Sequence, residues 1–103
     1  MRTLKFNVDG QNITPAPNCD FSGIVPGTEG YLEAEFEFSS EWNGCGMIAV
    51  FTKLGEEYPV KLEAGKCTIP AEALTYKKFK VEVIGIRPGY RIRTGKAVVE
   101  QNG

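Results

Sequence analysis

The sequence predicts an all-β domain spanning residues 1–103, folded as a two-sheet antiparallel sandwich of about seven strands. Short segments in which apolar and polar residues alternate recur along the chain, as a pleated strand requires. Glycine, proline, asparagine and aspartate residues, which favour turns, separate these segments. Only Pro70–Leu74 has the proline-first composition of a helical turn, so we expect almost no other helix.

The clearest strand is predicted over Phe79–Ile86, where every second residue from Phe79 is apolar or small and should face the core. The next four residues reverse the chain, and a second alternating run, Tyr90–Thr94, should return beside it. Gly95 is expected to form a bulge that resets the faces of the last strand, Ala97–Val99. These three strands should therefore be neighbours in one sheet.

The other strands are predicted from the same alternation. They cover Leu4–Val8, Tyr31–Phe38, Met47–Thr52, Tyr58–Leu62 and Cys67–Ile69. We expect the first of them at a sheet edge. The third is apolar on both faces, so it should either lie centrally or present one face to a partner. The helical turn near 70–75 should carry the chain from one sheet to the other.

The region between the first two predicted strands, Pro15–Gly30, contains three prolines and three glycines. It should form a long loop, or two loops with a short strand near Phe21. Elsewhere, the predicted core consists of Phe36, Phe38, Phe51, Phe79, Val81 and Val83. Trp42 should cover one end of that core rather than serve as a stacking platform for a ligand.

Composition excludes several classes of protein. The chain is 42% hydrophobic and 24% charged, as ordinary globular proteins are, so disorder is not expected. Its net charge of -1 argues against nucleic-acid binding. We find neither a signal peptide nor an apolar run long enough to span a bilayer, and expect a soluble product of the cytosol with no membrane partner. Three cysteines, an odd number, predict three free thiols.

No residue pattern predicts catalysis. The chain has no histidine, which is the commonest general base. No serine lies in a nucleophile elbow, and Cys45 has no histidine to activate its thiol. A zinc site would need a carboxylate in addition to the three separated thiols. We therefore expect no enzymatic activity, no cofactor and no metal.

The charged residues are unevenly distributed. Seven of the twelve basic residues lie between Lys77 and Lys96, where Glu82 is the only acid, whereas the Tyr31–Phe38 strand is acidic. A chain divided in this way could dock an acidic partner surface, or a second copy head to tail. Two ordinary solvated faces would give the same pattern.

A candidate interface follows from the strand phases. Alternation along the Phe79 strand sends outward Lys80, Glu82, Ile84 and Ile86. A two-residue turn at Pro88–Gly89 would place Arg91 beside Ile86 and Arg93 beside Ile84, although this is not the favoured hairpin turn. Isoleucine with arginine is a combination that binding surfaces enrich. Cover by the C-terminal tail is the alternative.

Four short motifs occur in order between Tyr31 and the C-terminus. They are Phe38-Ser39 ahead of Trp42, Ile69-Pro70-Ala71-Glu72, Val81–Gly85 and Ile92–Thr94. Their order and spacing resemble small immunoglobulin-like virion proteins of tailed bacteriophages that infect Gram-positive bacteria. The resemblance implies an immunoglobulin-like sandwich that binds other virion proteins or host-surface glycans and catalyses nothing. The family has no shared set of functional residues whose roles could be assigned to positions in this sequence.

Together, the residues and the resemblance predict a non-enzymatic virion structural protein, made in the host cytoplasm. It would belong to the head, as a decoration or fibre, or to the tail or baseplate. We expect the patch of Ile84, Ile86, Arg91 and Arg93 to contact a neighbouring virion subunit or a second copy. The alternative function is a carbohydrate-binding module that recognises host glycans, with Trp42 or the Pro15–Gly30 loop in its site.

Overall fold

In a computed structural model that describes residues 1–102, nine strands form two sheets. The strands are β1 (Arg2–Asp9), β2 (Asn12–Pro15), β3 (Leu32–Phe38), β4 (Gly46–Lys53), β5 (Glu56–Lys61), β6 (Lys66–Thr68), β7 (Lys78–Arg87), β8 (Tyr90–Arg93) and β9 (Ala97–Glu100). The predicted helical turn is a 3-10 turn at Ala71–Leu74, and a second one lies at Ser40–Trp42. Gly103, the last residue of the predicted domain, lies outside the described residues.

The two sheets pack as a β-sandwich, which confirms the predicted fold class. One sheet has the strand order β2-β1-β3-β6, and the other has β5-β4-β7 with β8 and β9 both paired to the far side of β7. Strand β3 pairs with β6 in the first sheet, and in the second β4 pairs with β7, which pairs in turn with β8. The Ala71–Leu74 turn connects the sheets, as predicted.

The four-stranded sheet differs from the prediction in two ways. Strand β1 runs parallel to β3, from the pair Arg2–Leu32 to the pair Val8–Phe38, so this sheet is mixed rather than antiparallel. Strand β1 is also central rather than at an edge, because β2 pairs with its other side. The long connection between β2 and β3 explains the parallel pair, since parallel strands need a crossover of a dozen or more residues.

The strand count is nine rather than about seven, for local reasons. Strand β2 has only four residues, too few for an alternating pattern to stand out. The predicted bulge separates β8 from β9. Ile84 of β7 pairs with Arg93 and Val81 pairs with Ala97, so the last strands contain one more residue than β7 over the same span. The extra residue returns Ala97 to the core face, as predicted.

The connection from Pro15 to Gly30 has no strand near Phe21 and is held against the domain. The Arg2 guanidinium donates to the carbonyl of Asp20 at 2.9 Å. The Phe21 ring packs edge-on against Phe6, with 5.4 Å between ring centroids. Ile24 is fully buried in the core. The loop is therefore irregular but anchored at three points.

The predicted core residues are buried, apart from Phe38, which is partly buried. Phe38 packs against Trp42, with 5.1 Å between ring centroids. Trp42 has no exposed surface, and its Nε1–H donates to the Gly10 carbonyl at 2.8 Å. Trp42 therefore covers one end of the core, as predicted, and cannot stack on a ligand.

The three cysteines are free, and they differ in accessibility. Cys67 is buried, and this burial raises the pKa of its thiol to about 12, whereas Cys19 and Cys45 are partly exposed. Because the thiolate is the reactive form, we expect iodoacetamide at about pH 8 to modify Cys19 and Cys45 in the native protein long before Cys67. Mass spectrometry of the intact protein over time measures this order.

The control is the urea-unfolded protein without reductant, in which all three cysteines should be modified. Native labelling of Cys67 at the rate of Cys19 would contradict its burial. An intramolecular disulfide in freshly prepared protein would contradict the prediction of three free thiols.

Candidate functional site

The candidate site is the side of the five-stranded sheet that faces away from the core, called here the outer face. Residues directly opposite one another in paired strands share a face, so the register defines its members. Its apolar residues are Ile48, Val50, Ile84, Ile86 and Val98. Its basic residues on β7, β8, β9 and the bulge are Lys78, Lys80, Arg91, Arg93 and Lys96. Its acidic residues are Glu57, Glu82 and Glu100, so the face is apolar at its centre and carries an excess of basic residues.

The predicted register of the β7–β8 hairpin is confirmed. Ile86 pairs with Arg91 and Ile84 pairs with Arg93. The turn residue Gly89 has a φ of +69° and follows proline, which is the composition of a type II turn. Ile86 is 48% exposed and Ile84 is partly buried. The four predicted interface residues therefore lie together at one end of the outer face.

The C-terminal tail does not cover this patch within the described residues. Strand β9 pairs with the opposite half of β7, from Lys78 to Val81. Beyond it, the backbone N–H of Gln101 donates to the Lys77 carbonyl and that of Asn102 to the Ile24 carbonyl. Residues 97–102 thus lead away from Ile86, and the tail-cover alternative is wrong for them.

Glu82 lies on the outer face, as predicted, but it is only 2% exposed. The Arg93 Nη2 atom lies 2.7 Å from one of its carboxylate oxygens, and the Lys96 Nζ atom lies 3.6 Å from the other. The bulge between β8 and β9 brings Lys96 to this side of the sheet. The two cations cover and neutralise the carboxylate, and the carboxylate in turn orients the Arg93 guanidinium.

The other arginines near this hairpin differ in their contacts. Arg87 stacks on the Tyr90 ring at 3.7 Å and also donates to the Asn43 carbonyl. Arg91 is exposed and makes no side-chain hydrogen bond or ion pair with any described residue. Of the exposed guanidinium groups on the outer face, Arg93 is held in place and Arg91 is free to bind.

The edges of both sheets are unsuited to adding a further strand. Edge strand β5 has Pro59 in its middle, and edge strand β2 ends in Pro15. Strand β6 has three residues, and the remaining edge is interrupted by the bulge at Gly95. Proline, short length and bulges are the usual obstacles to edge-to-edge pairing. A partner is therefore better accommodated on a face than at an edge.

The side of the four-stranded sheet that faces away from the core is acidic and polar, and is called here the acidic side. It presents Glu33, Glu35 and Glu37 along β3, and the Lys66 Nζ atom lies 3.6 Å from a Glu35 oxygen. Strands β1, β2, β3 and β6 place no large apolar side chain on this side. It can complement the charge of the outer face, but these four strands offer no large apolar side chain to pack against Ile86; the exposed Tyr31 ring lies just ahead of β3.

The positions proposed for glycan recognition are not arranged for stacking. Trp42 is fully buried, so a glycan site on that ring is wrong. The aromatic ring of the loop, Phe21, is partly buried against Phe6. Within residues 1–102, no group of three or more His, Cys, Asp or Glu side chains is placed to hold a metal ion. The same residues contain no helix long and apolar enough to cross a bilayer.

The outer face thus combines four features in one surface: an exposed isoleucine, an unpaired arginine beside it, a second arginine held by a buried glutamate, and a sheet whose edges are blocked. Arginine is enriched at protein interfaces, and an exposed apolar side chain beside it can pack against a partner surface. Comparisons of the chain with protein-family models, with curated proteins and with solved structures found no match.

Proposed function

We propose that this chain is a non-enzymatic structural subunit that docks a partner protein through the outer face of its five-stranded sheet. The observation that carries the proposal is the exposed pair of Ile86 and Arg91 beside the fixed pair of Ile84 and Arg93. The partner surface is expected to present an apolar side chain for Ile86 and carboxylates for the two arginines.

The contact between Arg93 and Glu82 favours binding at this place. An arginine that is free in the unbound protein loses rotamer freedom when a partner immobilises it, at a cost of about 0.5–1.5 kcal/mol. Arg93 is already held against the sheet by Glu82 at 2.7 Å. Its half-exposed guanidinium can therefore donate hydrogen bonds to a partner carboxylate while losing less rotamer freedom than the Arg91 side chain would lose.

The resemblance of residues 31–103 to immunoglobulin-like virion proteins supplies the context: the partner would be another component of a phage head or tail. Many copies in one particle would allow a small docking face to suffice, because linked copies add their contacts. A second copy of this chain is a less suitable partner, since the four strands of its acidic side offer no large apolar residue opposite Ile86.

The test is the double variant Ile86→Ser with Arg91→Ser. Both side chains are exposed and outside the Glu82 contacts, so the melting temperature should stay within a few degrees of the parent. Arg93 is left intact, because removing it would take a partner from a buried carboxylate and destabilise the domain. We expect incorporation into particles to fall about tenfold or more, as loss of an interface anchor and a charge predicts.

The matched control is Lys5→Ser with Asn7→Ser, which removes one positive charge and two exposed side chains from the acidic side of the sandwich. Its incorporation should equal that of the parent. If the Ile86 and Arg91 variant were incorporated as well as the parent, the proposal would be wrong. Sedimentation of the purified chain tests the self-docking arrangement, for which we expect a monomer.

A further inference from the structure

A cleft lies at the other end of the outer face, beside the turn that joins β4 to β5. Its volume is about 290 Å³, and its walls include Thr52, Leu54, Tyr76, Lys78, Lys80 and Lys96. Strand register explains this convergence: Thr52 of β4 lies opposite Lys80 of β7, which lies opposite Val98 of β9. The cleft does not include any of the four residues of the docking patch.

The charge of the cleft is strongly positive. Three lysines line it, and no acidic residue does. Lys96 also contacts Glu82 at 3.6 Å, whereas neither Lys78 nor Lys80 has an acidic group within ion-pair distance among the described residues. Glu100 lies opposite Lys78 in the register of β7 and β9 but not within ion-pair distance, so the three lysines keep an excess of positive charge that a bound anion would neutralise.

A buried hydroxyl group in the same cleft has no hydrogen-bond partner. The Oγ1 atom of Thr52 is inaccessible to solvent and is bonded to no described atom. Leaving a buried polar group unsatisfied costs about 1–3 kcal/mol, so such groups are uncommon in native proteins and call for an explanation. Thr52 as a whole is partly exposed, so rotation about its Cα–Cβ bond can bring the hydroxyl into the cleft, where a ligand oxygen would accept its hydrogen bond.

The rim of the cleft holds a residue in an unfavourable conformation. Leu54, in the two-residue turn between β4 and β5, has a φ of +51° and is 69% exposed. This left-handed region suits asparagine or glycine at such a turn and disfavours leucine. Exposure of a large apolar side chain there gains nothing for folding. Strain of this kind can mark a ligand site, although Ala64, in a turn outside the cleft, has a similar φ of +52°.

We propose that this cleft binds the phosphate group of a soluble phosphate monoester, with the apolar side chain of Leu54 contacting the rest of the ester. Lysines bind phosphate as point charges, whereas planar carboxylates are matched by the fork of arginine, which the cleft lacks. Three ammonium groups and the Thr52 hydroxyl can each donate to a different side of a tetrahedral oxyanion. The cleft lies on the same outer face as the docking patch but shares none of its four residues, so the two sites can be tested separately.

The test is an NMR titration of amide shifts with n-butyl phosphate, a monoester with an apolar chain, at constant ionic strength, repeated with inorganic phosphate. We expect saturable shifts confined to the amides of the cleft, at Thr52, Leu54 and Tyr76, with the ester binding more tightly than inorganic phosphate. Lys78→Gln with Lys80→Gln should weaken binding about tenfold or more, because two charged hydrogen bonds are lost. The control, Lys5→Gln with Lys61→Gln, removes the same charge elsewhere and should bind as the parent does.

Thr52→Val provides a second measurement that separates ligand binding from folding. The methyl group replaces a hydroxyl that has no partner, so the melting temperature of the free protein should stay the same or rise. Phosphate affinity should fall at the same time. Ile86→Ser with Arg91→Ser should leave phosphate binding unchanged, so that failure of either proposal is seen separately.

Non-saturable shifts spread over the whole surface would overturn the site, as would equal weakening by the control lysine pair. A lower melting temperature for Thr52→Val would also overturn it, because the hydroxyl would then be stabilising the free protein. Equal affinity for the ester and for inorganic phosphate would overturn the contact assigned to Leu54.

Discussion

Replacing Phe79 by alanine should lower the free energy of unfolding by about 3–5 kcal/mol. Phe79 is 1% exposed and lies on β7, the strand that pairs with three others in its sheet. Its ring faces Phe51, with 6.1 Å between centroids. The variant would leave a cavity in a well-packed region, and the loss is a large share of the roughly 5–15 kcal/mol that stabilises a typical domain.

Urea unfolding followed by circular dichroism measures the effect, and Phe36→Ala should cost a similar amount because it is also buried. The matched control is Phe21→Ala, which deletes the same atoms from a ring that is only partly buried on the loop. Phe21→Ala should therefore cost clearly less. An unchanged denaturant midpoint for Phe79→Ala would show that the phase assigned to β7 is wrong.

The phase of β7 could be predicted because the signal is local. Side chains alternate along a strand, so the apolar set that begins at Phe79 identifies the core face without knowledge of any partner strand. The short Pro88–Gly89 turn then restricts the register, which is why the neighbours of Arg91 and Arg93 were predicted correctly. Strand β4 is apolar on both faces, which predicted either a central position or a face presented to a partner. It lies centrally, between β5 and β7.

The pairing of β1 with β3 could not be predicted in the same way. Alternation in β1 shows which residues face inward, but it contains no information about the direction of the neighbouring strand. Two strands of this sheet are joined through the long Pro15–Gly30 connection, which permits either direction. Strand β2 has one buried residue, Ile13, and a single apolar position cannot show the alternation from which a strand is predicted.

The outer face was predicted in composition but not in detail. Glu82 is buried because Arg93 and Lys96 cover it. The position of Lys96 depends in turn on where the bulge falls, which is set by the pairing of the last strands with β7. The lysine cleft likewise joins residues from β4, β7 and the bulge. A local signal for the cleft was the Leu54-Gly55 turn, which has leucine at a position where such turns favour asparagine.

The contact between Trp42 and Gly85 should give the second large effect. Trp42 is fully buried, and a Cβ atom built on Gly85 would lie 2.7 Å from its Cε3 atom. Trp42→Ala should therefore cost about 3–5 kcal/mol, since it removes the ring and leaves the Gly10 carbonyl without its donor. Gly85→Ala should cost about 1–3 kcal/mol by overpacking.

The decisive result is the coupling between these two changes, because residues in contact do not have additive effects. With the ring removed, a methyl group at Gly85 enters the space that the ring vacated. Gly85→Ala should therefore cost clearly less in the Trp42→Ala protein than in the parent, and the cost that remains comes from Ile92, whose Cγ2 atom would lie 3.1 Å from the new methyl group. The two single variants, the double variant and the parent form one cycle, measured by urea unfolding.

Gly95→Ala is the matched control for the methyl group alone. No heavy atom lies within 4 Å of a Cβ atom built at Gly95, and neither Gly85 nor Gly95 has a positive φ. Neither position therefore requires the left-handed conformation that favours glycine, and what distinguishes Gly85 is the contact of an added methyl group with the Trp42 ring and, at 3.1 Å, with Ile92. We expect Gly95→Ala to change stability by well under 1 kcal/mol. If Gly85→Ala were equally mild, or additive with Trp42→Ala, the Trp42 ring could not be packed on β7, and the end of the core would have to be closed by another side chain.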